Sequence, residues 1–217
     1  MRILSSTFIA CFLLLGSDPS HALEPDERLK IGLALIGGGT KAGAHIGVLR
    51  VLDESRVPID YIAGTSAGAI IGSLYAAGLN PDEIEAAVAD FDWDDMLEDR
   101  PTLADLPFRR KRDSYNYLVK YRPGYNDGEV TLPMGLVHGQ KVVQFFRRHF
   151  NAHSHVRDFD ELPIPLRGVA TALTSGDAIV IGDGDLAVSV RASMSIPVFF
   201  TPVEIDGRRL IDGGVTN

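Results

Sequence analysis

Two glycine-rich turns constrain this chain more than any other feature. Gly37-Gly38-Gly39 and Gly64-Thr65-Ser66-Ala67-Gly68 each follow a short apolar run and precede a segment of helical periodicity. Residues 30–36 form a buried-strand pattern that stops at the triple glycine. Residues 41–55 then carry Ile46, Leu49 and Leu52 at helical spacing. Pro58 breaks the chain, residues 59–63 form a second short strand pattern, and residues 67–77 form a second helix ending at Gly78. Strand, helix, strand, helix at this spacing predicts an α/β fold with a parallel sheet and right-handed crossovers. Functional loops of such sheets gather at the carboxyl ends of the strands, so the two turns are expected side by side on one edge.

Asn80-Pro81-Asp82-Glu83 supplies a cap, a proline and first-turn acids for a third helix. The next stretch differs in kind. Residues 82–99 are acidic. Residues 100–122 swing basic through Arg100, Arg109, Arg110, Lys111, Arg112, Lys120 and Arg122, with Tyr115, Tyr117, Tyr121 and Tyr125 interleaved. Residues 91–137 read as a long insertion over one end of the sheet with short strands. Further on, the pattern gives a helix over 139–150, strands over 165–171 and 178–181, a helix over 186–194 and a short strand over 208–211 running into Asp212-Gly213-Gly214. The basic run is by default a solvated face, and with its tyrosines it also suits anionic lipid headgroups. Trp93 and Phe108 fit either a core or an interfacial wedge.

The amino-terminal residues read as a leader. Arg2 precedes a mostly apolar stretch over residues 3–16, and Ser20-His21-Ala22 sets small residues at a cleavage position. The stretch is shorter than the roughly 20 residues a membrane-spanning helix needs. The expectation is therefore a signal peptide at 1–22 and a catalytic domain over 23–217, exported to the periplasm, the outer membrane or the medium. Cys11 is the one cysteine, so the exported domain has neither a disulfide nor a thiolate metal cluster. The formal net charge of −8 argues against a nucleic-acid partner, which normally needs a basic surface.

The chemistry is carried by three separated motifs. Gly64-Thr65-Ser66-Ala67-Gly68 has the form of a nucleophile elbow, in which a serine sits on a sharp strand-to-helix turn and flanking glycines avoid clashes. Gly37-Gly38-Gly39 can aim backbone N–H groups at an anion, either a nucleotide phosphate or the oxyanion of an acyl intermediate. The dinucleotide fingerprint is imperfect, Asp60 stands at the wrong end of its strand to hold a ribose, and Lys41 is followed by Ala42 rather than a Walker hydroxyl. The oxyanion reading is favoured because an elbow lies on the neighbouring strand. No histidine follows His155, so the base late in the chain falls to Asp212, beside Gly213-Gly214. His45 reads as a packed or capping residue. His149, His153 and His155 have metal-like spacing without a carboxylate cluster and read as a solvated helix end.

Residues 37–49 (GGGTKAGAHIGVL), Gly64-Thr65-Ser66-Ala67-Gly68, the approach Ala192-Ser193-Met194-Ser195-Ile196-Pro197, and Asp212-Gly213-Gly214, in that order, resemble the bacterial patatin-like phospholipase family over essentially all of residues 30–217. The resemblance implies a three-layer α/β/α fold with a mainly parallel central sheet. It implies hydrolysis of phospholipid or lysophospholipid acyl esters by a Ser66–Asp212 dyad without histidine. Gly37, Gly38, Gly39, Thr40, Lys41 and Ala67 would hold oxyanion and substrate, with Gly64 and Gly68 shaping the elbow. No cofactor or metal is implied, and the partners are the lipid and a membrane surface. Exported relatives can carry a transport domain and an outer-membrane barrel. The family pattern continues beyond Asp-Gly-Gly into another strand and helix, so the catalytic domain reads as truncated. Lys41-Ala42 stands where the family usually has Arg-Gly. The readings kept open from other classes are a nucleotide-binding Rossmann-like module and a lipid-binding domain without catalysis.

Overall fold

The computed structural model describes residues 28–98, 106–116, 124–126, 128–131 and 135–217. The leader at 1–22, and Arg100, Tyr117, Lys120, Tyr121 and Arg122 of the insertion, lie outside the described residues.

Six strands form one sheet. β1 (Gly32–Leu35), β2 (Tyr61–Thr65) and β6 (Leu166–Ala172) run parallel to one another. β7 (Ala178–Ile181), β9 (Val203–Ile205) and β10 (Arg208–Asp212) pair antiparallel: β7 with β6, β10 with β6, and β9 with β10. The mainly parallel sheet expected from the sequence is therefore a mixed one. The crossover pattern holds for the first two strands and for β6. The rest arise from hairpins, which need no crossover helix and so reverse direction.

Register on β6 places the key strand ends. β7 lies along one edge of β6, opposite residues 168–171. The other edge is shared. β2 covers it as far as Thr65 opposite Val169, and β10 covers it from Leu210 opposite Ala172 to Asp212 opposite Ala170. β2 runs with β6 and β10 against it, so their carboxyl ends meet head-on, on neighbouring residues of β6.

The helices α1 (Gly43–Glu54), α2 (Ala67–Ala76) and α3 (Pro81–Ala89) follow β1 and β2. α3 begins with a full capping box: the Asn80 side chain accepts from Glu83 N–H at 2.9 Å, and the Glu83 carboxylate accepts from Asn80 N–H at 2.8 Å. α2 packs close to the sheet because its glycines leave room. A Cβ on Gly72 would fall 2.9 Å from Ile62 Cγ2, and one on Gly68 would fall 2.2 Å from the Leu35 carbonyl oxygen. α4 (Trp93–Glu98), α5 (Phe108–Asn116), the hairpin strands β3 (Gly124–Asn126) and β4 (Glu129–Thr131), and β5 (Gly135–Val137) belong to the insertion.

α6 (Gln140–His149) buries Val142, Phe145 and Phe146. Phe91 meets the Phe145 ring edge-on at 4.8 Å, and Trp93 meets Phe91 at 4.6 Å with about half its surface exposed. Trp93 is thus a rim residue of an aromatic cluster, while Phe108 stands exposed on α5. α7 (Leu186–Ser193) packs on β6, β9 and β10, and its amino end is capped by Asp185, which accepts from Val188 N–H.

Two strands escaped the sequence pattern. β8 (Val198–Phe200) pairs in parallel with β5, a partner more than sixty residues away, so nothing local marks it. β9 was legible in principle. Asp206-Gly207, at φ +51° and +71°, is the two-residue turn of a β-hairpin joining β9 to β10.

Candidate active site

Ser66 sits where β2 ends and α2 begins, at φ +52° and ψ −120°. A non-glycine residue in this region is strained and persists only where its surroundings impose it. The surroundings here are glycines. A Cβ on Gly64 would lie 2.7 Å from Ala69 Cα, and the close approach at Gly68 lets the first turn of α2 press against the end of β1. The Ser66 hydroxyl emerges at the amino end of a helix, where partial positive charge collects.

Asp212 is the last residue of β10 and is 7% exposed. Because β2 and β10 meet on one edge of β6, the two side chains come together. Ser66 Oγ donates to Asp212 Oδ2 at 2.6 Å. The other carboxylate oxygen, Oδ1, accepts from Gly214 N–H at 2.7 Å, and Asp212 N–H donates to the Ser195 carbonyl at 2.8 Å. The carboxylate is therefore fixed from both sides. Gly213 fits because it has no side chain: a Cβ there would lie 2.2 Å from the Val169 carbonyl oxygen.

The triple glycine lies alongside. A Cβ on Gly37 would be 3.2 Å from Ser66 Cβ and 3.9 Å from Ser66 Oγ. Gly39, at φ +58°, opens a short 3-10 helix, Gly39–Ala42, that includes Thr40 and Lys41, both exposed. The leading N–H groups of a helix have no partner within it, which applies to Gly39 here and to Ala67 at the start of α2. Ala42, where the resembled family has glycine, is buried at φ −60°, so its Cβ is accommodated without backbone strain. His45 is half-buried and its Nε2–H donates to the Ile36 carbonyl at 3.0 Å, bracing the residue before the loop. Asp60, at the far end of β2, is occupied by Arg28 and by Ile31 N–H.

Sequence reasoning did not find how the end of α7 is used. Ser66 N–H donates to Ser193 Oγ at 2.9 Å, and the Ser193 hydroxyl donates to the Val169 carbonyl at 2.5 Å. Arg191 is almost wholly buried. Its guanidinium donates to Ser195 Oγ at 2.5 Å and to the carbonyls of His138 and Thr201 at 3.1 Å, and it lies 4.3 Å from the Phe200 ring centroid. Gly139 is glycine for this reason, since a Cβ there would collide with Arg191 Nε at 2.0 Å. An arginine on the apolar side of a helix, two residues before Ser-x-Ser, was the available signal.

The three histidines are not gathered into a site. His149 Nδ1 is bonded to the Phe145 carbonyl within α6, and no group of three or more His, Cys, Asp or Glu side chains suited to a metal occurs among the described residues. Nor is any helix among them long and apolar enough to cross a membrane.

A family model for patatin-like phospholipase matches residues 33–217, and the chain belongs to that family. It is 32% identical over 186 residues to an uncharacterized NTE family protein of Mycobacterium bovis, covering 86% of this chain and 43% of the relative. It is 31% identical over 189 residues to patatin-like phospholipase domain-containing protein 6 of Mus musculus, covering 86% of this chain and 12% of that protein. The chain thus spans less than half the length of these relatives. Among solved structures, VipD from Legionella pneumophila aligns with a TM-score of 0.53 at 17% identity, over 87% of this chain and 46% of that one. That likeness places the α/β architecture in the three-layer α/β/α class.

Proposed function

We propose that this domain is a serine acyl hydrolase that cleaves carboxylic esters of phospholipids or lysophospholipids. The observation that carries the reading is the 2.6 Å hydrogen bond from Ser66 Oγ to Asp212 Oδ2 at a strained strand-to-helix elbow. Ser66 Oγ attacks the ester carbonyl carbon as its proton passes to Asp212 Oδ2. The oxyanion settles against backbone N–H groups of Gly38, Gly39 and Ala67. The Ser66 amide takes no part, since it is engaged with Ser193. Collapse of the intermediate breaks the ester C–O bond, and the leaving alkoxide recovers the proton from Asp212. Water then attacks the acyl-serine, giving its proton to Asp212, and the acid leaves as Ser66 is reprotonated. Gly214 N–H keeps Oδ1 fixed so that Oδ2 alone handles the proton. The dyad needs no cofactor.

The test is covalent labelling of Ser66 by a fluorophosphonate, read by mass spectrometry, together with hydrolysis of a long-chain ester. Ser66→Ala and Asp212→Ala should each lower kcat by at least about 10³-fold with the fold intact by circular dichroism. His45→Ala should keep most of the activity, because its ring braces a backbone carbonyl. An active Asp212→Ala enzyme would remove the dyad. A rise in Tm with ATP or NAD, and no labelling, would favour a nucleotide module. Lipid binding without labelling would favour a non-catalytic lipid-binding domain.

Membrane contact through α5 belongs to the same proposal. Phe108, Arg109, Arg110 and Arg112 are exposed on this short helix. Each basic group close to an anionic surface contributes about 1 kcal/mol, screened by salt. Replacing Arg109, Arg110 and Arg112 with Gln should weaken binding to anionic vesicles at low salt and spare turnover of a soluble short-chain ester. Equal vesicle binding would reduce this helix to a solvated face. Residues 1–22 are proposed as an export signal, with the domain acting outside the inner membrane. Amino-terminal sequencing of protein recovered after expression in a secreting bacterial host tests cleavage after Ala22.

A further inference from the structure

The Ser66 elbow meets the end of β10 at a junction that main chain alone does not complete. β2 stops on β6 at Val169, and β10 stops at Ala170 on the same edge. The chain turns sharply away at Ser66, so the Ser66 N–H cannot continue the ladder, and the Val169 carbonyl faces the same gap. An unpaired buried N–H or carbonyl is costly. The Ser193 hydroxyl fills the gap, accepting from Ser66 N–H at 2.9 Å and donating to Val169 O at 2.5 Å. Ser193 has no solvent exposure. Two residues on, the Ser195 carbonyl takes Asp212 N–H, and Arg191 grips Ser195 Oγ. One short stretch of chain therefore touches the backbone of both partners.

We propose that Ser193 is a positioning residue for the hydrolytic reaction. Its hydroxyl fixes the Ser66 amide, and with it the φ of +52° that holds Oγ on the Asp212 carboxylate. This rests on the reading of Ser66 as nucleophile and Asp212 as base. It also gives the Ser66 amide a structural partner, which leaves oxyanion binding to the glycine loop and Ala67. Displacement of a nucleophile by about 1 Å costs on the order of 10²-fold in rate, so loss of this one bond should be felt in turnover.

The experiment compares three full-chain variants with the parent: Ser193→Ala, Ser193→Cys and Ser189→Ala. Ser189 is a matched control, a buried serine of the same helix whose hydroxyl donates to the Asp185 carbonyl instead of reaching the elbow. The readouts are the rate of fluorophosphonate labelling at Ser66, kcat and KM on a soluble short-chain ester, and Tm. Ser193→Ala should label and turn over about 10–10²-fold more slowly at unchanged KM, and Ser193→Cys, with a weaker donor and acceptor, should fall between it and the parent. Ser189→Ala should label at the parent rate whatever its Tm. Parent-like labelling of Ser193→Ala overturns the proposal, as does equal slowing in Ser189→Ala. If Ser193→Ala does not fold, Ser193→Cys decides alone: slowed labelling at unchanged KM supports the role, and parent-like labelling overturns it. A parent that does not label removes the reading of Ser66 itself, and this inference falls with it.

Discussion

The two halves of the Ser66–Asp212 pair are built by opposite means. Ser66 is placed locally. Within five residues the chain supplies a strand end, two glycines that let backbone approach backbone, and a helix start. Asp212 is placed remotely. Its strand is antiparallel, its amide is held by Ser195, its carboxylate by Gly214, and the gap between the halves is closed by Ser193. A strained nucleophile can be encoded by a short motif because strain is a matter of nearest neighbours. A base at hydrogen-bond distance from it can be encoded only by the register of a whole sheet.

The largest expected effects come from filling the space on either side of the pair. Gly68→Ala would put a Cβ 2.2 Å from Leu35 O, and Gly213→Ala one 2.2 Å from Val169 O and 2.9 Å from Thr65 Cγ2. Neither backbone can yield without moving a strand, and overpacking of this kind costs about 1–3 kcal/mol or more. Both variants should lose at least about 10²-fold in ester hydrolysis, and both should melt lower by thermal circular dichroism. If Gly213→Ala keeps full activity while Gly68→Ala does not, the aspartate side is adaptable and the comparison breaks.

A smaller effect sharpens the contrast between glycines that shape the site and glycines that do not. Gly37→Ala would set a Cβ 3.2 Å from Ser66 Cβ. A shift of a few tenths of an ångström should cost about tenfold in kcat with little change in Tm. Gly47, in the same motif, faces open space within α1. Gly47→Ala should raise stability by about 0.5–1 kcal/mol in urea unfolding and leave kcat unchanged. Equal kcat for the two variants would show that the triple glycine does not crowd the nucleophile.

The smallest effect concerns the amino end of β2, far from the elbow. Asp60 is held at about 2, below the usual carboxylate value, by its hydrogen bonds from the Arg28 guanidinium and Ile31 N–H and by the ion pair with Arg28. A carboxylate lowered on folding stabilises the folded state fully above its unfolded pKa, about 3.9. That contribution fades as pH falls from there through about 2. Asp60→Asn should therefore flatten the acid limb of a stability–pH curve between about pH 4 and 2 and leave ester hydrolysis at neutral pH unchanged. Loss of activity in Asp60→Asn would tie this end of the strand to the site.

Much of the local structure was legible from residues. The first two strands, the capped and proline-led start of α3, the apolar face of α6 and the strand over 178–181 follow from periodicity and caps, and the observed boundaries differ by a few residues. The predicted adjacency of the two glycine turns follows from β1 pairing in parallel with β2. β5 and β8 each have three residues and find each other across the chain, so no local pattern marks them. Asp206-Gly207 carries the local signature of a two-residue hairpin turn.

Neighbours along the chain account for the first two strands and the main helices, the sharp turn at Ser66, the family resemblance and the residue types available for acyl chemistry. The mixed sheet, the meeting of β2 and β10 end to end on β6, and the completion of the junction by Ser193 and Arg191 are set in three dimensions. Those features depend on register and on buried hydrogen bonds between distant segments. The energy of such a contact is fixed by what the fold brings together, which spacing along the chain does not specify.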